Sequence, residues 1–383
     1  MVPTLSEVLF AAILFPSGSR TGNVETLHHW DPTSFIDLER AAMRSSLIGQ
    51  AYRIVFASIA FIGIICPLQA LAGPVDLTFF FTADTHYGLD LWNYNEPANK
   101  ATIDAMNALP GTLYPSSIGG VVGTPSGVLV AGDLTDTPEY INFNGASIPQ
   151  IGWAVQGFDD DYAVDGSGRI HYPVYEGYGN HDVDNTTHSY TLDGIMARNL
   201  VRPGVVHLSD NGLNYSWNWQ GVHFINLNIY PGMTDRSAYS LAFLQEDLLH
   251  YANTNTPIVL MQHFGFDSFG LGWWTDQERQ AFANVIDGYN ILGIFHGHLH
   301  TTMKYQWNGY DVFNGSAAKD GNFLVVRIHG DQMDVASRED NRWGFTFSKT
   351  IAIPEPSPLV YAFALCIIVI VLSNFRKRRT RLF

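Results

Sequence analysis

The chain has 383 residues, 46% of them hydrophobic and 15% charged, the balance of a globular protein with a sizeable core. A formal charge of −15 with no basic stripe excludes the electrostatic footprint of a nucleic-acid binder and disfavours long polyanions as substrates. The only two cysteines, Cys66 and Cys366, fall in apolar runs near the ends, which excludes a disulfide framework and a thiolate nucleophile in the body of the chain.

Met43 begins a pattern expected of a secretory signal peptide over residues 43–72. Arg44 and Arg53 give a basic start, residues 54–66 are almost wholly apolar, and Ala70-Leu71-Ala72 fits a small-residue cleavage site. A membrane-anchoring helix is the alternative, but the apolar run is short for a span. Residues 1–42 lie upstream of any normal basic start and carry Glu25, Asp31 and Asp37, as expected of a mis-assigned start codon. Between residue 73 and Ile353 stand 12 Lys+Arg against 30 Asp+Glu, so the body of the protein is expected near −18, more acidic than the whole chain.

From residue 73 to about 350 the pattern is that of one α/β domain. Short apolar runs bounded by Gly or Pro predict strands over 75–83, 127–131, 173–178, 257–262 and 291–295. Helical spacing predicts helices over 99–109 and 241–252, and Thr275-Asp276-Gln277-Glu278 is a capping box opening a third that runs to about Ile286. Beyond His300 the chain predicts strands over 303–307, 311–314, 323–329 and 333–337, with turns at Trp307-Asn308-Gly309 and His329-Gly330-Asp331. These hairpins imply a second sheet with antiparallel members. Residues 351–383 change character again: 359–372 is unbroken apolar sequence followed by Arg376-Lys377-Arg378-Arg379, a membrane segment with its basic side cytoplasmic.

Five of the predicted strands end in residues that bind metal or orient metal ligands: Asp84-Thr85-His86, Gly132-Asp133, Gly179-Asn180-His181-Asp182, His263, and Gly297-His298-Leu299-His300. Strand ends are where α/β folds put their chemistry. Asp and His donors without thiolates suit Mn, Fe or Zn ions, and one shared carboxylate suffices to hold two of them side by side. Singly, each motif is weak: a Gly-Asp pair is usually a turn. Their joint occurrence is specific.

In this order the motifs resemble the calcineurin-like metallophosphoesterase family, over nearly all of residues 75–300. The resemblance implies a four-layer α/β/β/α sandwich of two mixed sheets and two divalent ions (Mn, Fe or Zn). One ion would take Asp84, His86 and His300, the other Asn180, His263 and His298, with Asp133 bridging. His181 would sit beside the phosphate with Asp182 orienting its ring, and the reaction would be hydrolysis of a phosphate mono- or diester by a solvent nucleophile activated between the ions. Purple acid phosphatases, within the same family, add a Tyr three residues after the bridging Asp; here that position is Asp136, which argues against that subgroup. The alternative function is a surface or matrix protein whose metal site is structural or serves binding without turnover.

At the C-terminus, Pro354-Glu355-Pro356 followed by the apolar run and Arg-rich tail resembles the PEP-CTERM sorting signal of Gram-negative bacteria. That resemblance implies an exosortase-type processing protease as partner, membrane attachment through the C-terminal segment before processing, and a periplasmic, outer-surface or extracellular destination. A plain anchor behind a proline-stiffened linker is the blander reading.

Weaker signals remain. Phe264, Phe266, Phe269, Trp273 and Trp274 crowd the Gly-rich loop after His263 and either pack as ordinary core or line a substrate mouth for a bulky apolar leaving group, with Trp273 and Trp274 joining Asn180 and His181 as the substrate-binding candidates. Tyr87, Leu91, Trp92 and Tyr94 are candidates for the same mouth. Asp159-Asp160-Asp161 misses EF-hand spacing and reads as a solvated acidic loop. His171, His188, His207, His223, His250 and His329 fit no ligand motif, and His296 either supports the metal ligands or faces the sheet.

Overall fold

A computed structural model describes residues 75–89, 96–137, 140–143, 146–149, 154–183 and 189–353. The expected signal peptide, the upstream segment and the sorting signal lie outside these residues, as do Leu91, Trp92, Tyr94 and His188. Among the described residues no helix is long and apolar enough to cross a membrane.

Two mixed sheets form the body. The first contains β1 (Asp76–Thr82), β2 (Val128–Ala131), β5 (Val174–Gly177), β13 (Phe323–His329), β14 (Gln332–Glu339) and β15 (Arg342–Thr350), in the order β15-β14-β13-β1-β2-β5. The second contains β6 (Val205–Leu208), β7 (Tyr215–Trp219), β8 (Val222–Asn226), β9 (Ile258–Met261), β10 (Ile291–His296), β11 (Thr302–Trp307) and β12 (Tyr310–Gly315), in the order β11-β12-β10-β9-β8-β7-β6. A small hairpin of β3 (Tyr140–Phe143) and β4 (Ala146–Pro149) stands apart. Strands β1, β2 and β5 run parallel, as do β8, β9 and β10, so the motif-bearing ends gather at one edge of each sheet.

The alternation of β1 explains the packing. Leu77, Phe79 and Phe81 point into the space between the sheets, where Phe79 meets Phe224 edge-on at 5.3 Å and Phe295 at 6.0 Å, both from the second sheet. Phe80 faces the other way, into a core that includes Ile103 and Met106 of α1 (Pro97–Ala108). Successive strand side chains alternate in this way because the pleat repeats every two residues. The outer face of the second sheet contributes Ile225, Ile258, Leu260 and Ile294 to a core shared with Leu244 and Leu248 of α4 (Ser240–Tyr251) and Phe282 of α5 (Asp276–Ile286). The capping box stands as read: Thr275 Oγ1 accepts from the Glu278 N–H at 3.2 Å while Glu278 Oε2 accepts from the Thr275 N–H at 2.8 Å.

Three features differ from expectation. The late hairpins do not build one sheet: β11 and β12 extend the second, whereas β13 pairs antiparallel with β1 and brings β14 and β15 into the first. Strands β6 to β8, α2 (Ala154–Asp161) and α3 (Tyr190–Asn199) were not foreseen. The acidic triplet is no solvated loop but the end of α2, with Asp161 buried and accepting from Tyr87 Oη at 2.8 Å and Asp159 paired with Arg198 at 2.8 Å. Tyr87 is thereby fully buried and lines no mouth.

Candidate metal centre

Three of the five motifs leave their strands through left-handed backbone. Asp84, His86, Asp133, His298 and His300 all adopt positive φ, between 45° and 70°. Left-handed backbone costs an L-residue roughly 1–2 kcal/mol, and such strain collects at functional sites held by their surroundings. Here the surroundings are hydrogen bonds between the motifs. The His86 N–H donates to the Asp133 carbonyl at 3.0 Å, the His298 N–H to Asp84 Oδ2 at 2.9 Å, and the His181 N–H to Asp133 Oδ1 at 2.9 Å. Two glycines permit the approach: a Cβ on Gly179 would lie 2.2 Å from Asp133 Oδ1, and one on Gly297 would lie 2.5 Å from Asp84 Oδ2.

Among the described residues the side chains converge in three overlapping groups whose donor atoms lie within 4.8 Å of one another: Asp84, His86 and His300; Asp133, His263 and His298; and His86, Asp136 and His181. In the first, His300 Nε2 is 3.1 Å from Asp84 Oδ1 and 3.3 Å from His86 Nε2. In the second, His263 Nε2 is 3.1 Å from Asp133 Oδ2 and 3.2 Å from Asn180 Oδ1. Asp133 Oδ2 also lies 3.8 Å from His86 Nε2, so one carboxylate oxygen reaches both groups. All seven residues expected as ligands from the sequence are thus brought together.

The donor set fits divalent cations on the protein's own terms. His263 donates its Nδ1–H to the Ala131 carbonyl at 2.7 Å and His86 donates its Nδ1–H to Asp136 Oδ1 at 3.1 Å, which aims both Nε2 atoms into the cluster. His298 Nε2 is buried without a hydrogen-bond partner, a costly arrangement for a polar atom unless a ligand meets it. Burial, reinforced by His263, holds the His298 pKa far below the usual imidazole range, so its nitrogen is a free base. Burial opposes ionisation of Asp133, but His263, His86 and His181 outweigh it and keep the carboxyl well below the ordinary range. Burial also disfavours charge on His263, yet Asp133 beside it and Asp84 beyond lift its pKa to about 9. The pair of carboxylates therefore draws positive charge into the site.

His181 and Asp182 do not form the pair expected of them. Asp182 is fully buried and accepts from the N–H groups of Leu134, Thr135 and Gly179 at 3.1, 3.0 and 2.8 Å and from Thr135 Oγ1 at 3.1 Å. It clamps the Asp133 loop to the Asn180 loop. Burial and the charge of Asp133 raise its pKa to about 6 against those N–H groups. The ring of His181 instead donates Nδ1–H to the Asp136 carbonyl at 2.7 Å, with the Asp136 carboxylate 3.7 Å away. Its side chain is 41% exposed beside the first group, 4.6 Å between ring centroids from His86. Burial lowers its pKa, but Asp133, the Asp136 carbonyl and Asp136 together leave it raised. Asp136 is the site residue that sequence reasoning missed; its only signal was its place three residues after Asp133.

Of the aromatic candidates, Trp274 is buried with its indole N–H on the Gly265 carbonyl at 3.1 Å, a structural position. Trp273 lies against the second group, its ring 4.9 Å from that of His298. His296 is buried behind the site, meeting the Tyr305 hydroxyl at Nε2 at 2.9 Å.

No protein-family profile matches the chain. It is similar to purple acid phosphatase 23 of Arabidopsis thaliana, 25% identical over 189 residues, covering 46% of this chain and 41% of that protein. It is also similar to purple acid phosphatase 15 of the same plant, 27% identical over 125 residues, covering 32% and 23%. The chain thus spans less than half the length of these curated relatives, both from the subgroup that Asp136 was expected to argue against. Among solved structures, the Plasmodium protein GAP50, described as the anchor in the inner membrane complex, aligns with a TM-score of 0.44 at 10% identity, over 74% of this chain and 90% of that one. The Asp/His clusters are consistent with a metal centre.

Proposed function

We propose that the protein is an exported phosphoesterase that hydrolyses a phosphate mono- or diester at a dinuclear metal centre. The observation that carries this reading is Asp133 Oδ2, which lies within 3.8 Å of donor nitrogens from both ligand groups. Two divalent ions (Mn, Fe or Zn) held by Asp84, His86 and His300 and by Asn180, His263 and His298, with Asp133 between them, would supply charge neutralisation and a deprotonated water near neutral pH. The chain's own groups do the rest. The Asp133 and Asp84 carboxylates fix the ligand loops through the N–H groups of His181 and His298. His181, its Nδ1–H committed to the Asp136 carbonyl, keeps Nε2 for the phosphate oxygens or for protonating the departing alkoxide. The test is hydrolysis of p-nitrophenyl phosphate and its bis-ester by the Mn²⁺-loaded protein. Asp133→Asn should lose metal and turnover together; turnover in that variant equal to the parent refutes the assignment.

Export rests on the reading of residues 43–72 and 354–383. It predicts a mature N-terminus at Gly73 and a cell-surface or periplasmic fraction. A cytoplasmic protein beginning at Met1 or Met43 in the mass spectrum overturns it.

A further inference from the structure

The loop after His263 sets a fixed aromatic surface against one ligand histidine. Phe264 is buried 4.6 Å from the His298 ring, Trp273 stands edge-on at 4.9 Å, and Phe269 tilts toward it at 4.9 Å while 49% exposed. Phe269 and Trp273 are themselves 6.3 Å apart, and the Arg236 guanidinium lies 5.3 Å over Phe264 and 5.8 Å over Trp273. The loop is built rather than loose. Asp267 Oδ1 accepts from the N–H groups of Phe269 and Gly270, each at 2.9 Å, and the Trp273 N–H donates to the Gly270 carbonyl at 3.0 Å. Gly270 packs so tightly that a Cβ there would lie 2.6 Å from the Gly265 carbonyl oxygen. Holding a phenyl ring half in water forfeits part of its burial free energy, and this one is held beside the metal ligands.

We propose that this surface receives a planar aromatic group of the phosphoester, stacked against Phe269 and flanked by Trp273, while the phosphate lies over the Asp133 cluster. The inference rests on the phosphoesterase reading above and names its substrate class: an ester bearing an aryl or heteroaryl ring, nucleobases included. A ring suits the site better than an acyl chain. Tilted and edge-on aromatic neighbours are the geometries aromatic pairs favour.

The test is calorimetric binding of two non-hydrolysable probes, 1-naphthylmethylphosphonate and methylphosphonate, to the full Mn²⁺-loaded chain. The naphthyl probe should bind about 10-fold more tightly. That ratio should collapse in Phe269→Ala and persist in Phe269→Tyr, which keeps the ring. A ratio near one in the parent, or one that survives Phe269→Ala, overturns the proposal, as does tighter binding of decylphosphonate than of the naphthyl probe. Turnover of p-nitrophenyl phosphate on the same preparation separates the two readings. Turnover with equal probe affinities removes only the aromatic inference; neither turnover nor phosphonate binding removes both.

Discussion

Gly179→Ala isolates one contact on which the whole centre depends. The backbone there is extended (φ −115°, ψ −166°), a conformation alanine adopts freely, so the added methyl acts by volume alone. It would stand 2.2 Å from Asp133 Oδ1 and 2.6 Å from the Asp133 backbone nitrogen. Ordinary carbon–oxygen contact begins near 3.4 Å, so the carboxylate and the loop must part by about 1 Å. Metal–ligand distances tolerate only about 0.2 Å, and misplacement of a reacting group by about 1 Å costs on the order of 100-fold in rate. The variant should therefore bind Mn²⁺ at least about 10-fold more weakly and lose roughly 100-fold in kcat/KM, with a stability cost of about 1–3 kcal/mol for overpacking. Gly194→Ala is the control: it lies in α3, its Cβ would meet only Val155 at 3.7 Å, and it should match or exceed parental stability. Metal content by mass spectrometry and aryl phosphate kinetics decide the matter. Parental metal affinity and turnover in Gly179→Ala would refute the claim that the Gly179–Asp133 approach organises the site.

Two further predictions follow from the same geometry. His181→Ala removes a ring outside the seven expected ligands, so metal content should stay near parental while kcat falls by about 100-fold or more; loss of metal in this variant would place His181, which also converges with His86 and Asp136, among the ligands instead. Glu176, buried with two guanidiniums, sets an acid limit on stability. Burial opposes its charge, but Arg198 and Arg202 lower its pKa to about 2. A carboxylate depressed from its ordinary value near 4.5 contributes stability that is complete above that value and disappears as pH falls through about 2, amounting to about 3 kcal/mol. In urea unfolding of the metal-free protein, the parent should lose this contribution between pH 5 and pH 2. Glu176→Gln should be less stable at pH 7, with a shallower acid slope. Equal slopes would assign the acid sensitivity elsewhere.

The ligand-bearing strands were legible because each is a short apolar run closed abruptly by Asp, Asn or His, and a fully buried strand has no polar face to blur the pattern. Strands β7 and β8 were not, because they bury polar residues. Ser216 and His223 point at Asp247 of α4, with Ser216 Oγ donating at 2.6 Å and His223 Nε2 at 2.6 Å, and His207 of β6 joins them at 2.8 Å. A buried polar cluster of this kind satisfies itself through a partner more than twenty residues away, which no local periodicity reveals. The same non-locality hid the role of Asp182. Its neighbour in sequence is His181, but its hydrogen bonds run to Leu134 and Thr135, some 47 positions upstream. Asp136 was visible as a departure from a pattern, while its contacts with His86 and His181 needed coordinates.

The seven ligand positions are divided between the sheets: Asp84, His86, Asp133 and Asn180 follow strands of the first, and His263, His298 and His300 follow strands of the second. The gap between the two halves is set by rings such as Phe79 against Phe224 and Phe81 against Phe295, at 5.3 and 5.2 Å. Thinning one of those rings, far from any donor atom, changes the span across which a cation must be gripped. Under the proposed dinuclear reading, ion selectivity would be adjustable from this interior spacer, a route to a new preferred metal that leaves every coordinating side chain untouched.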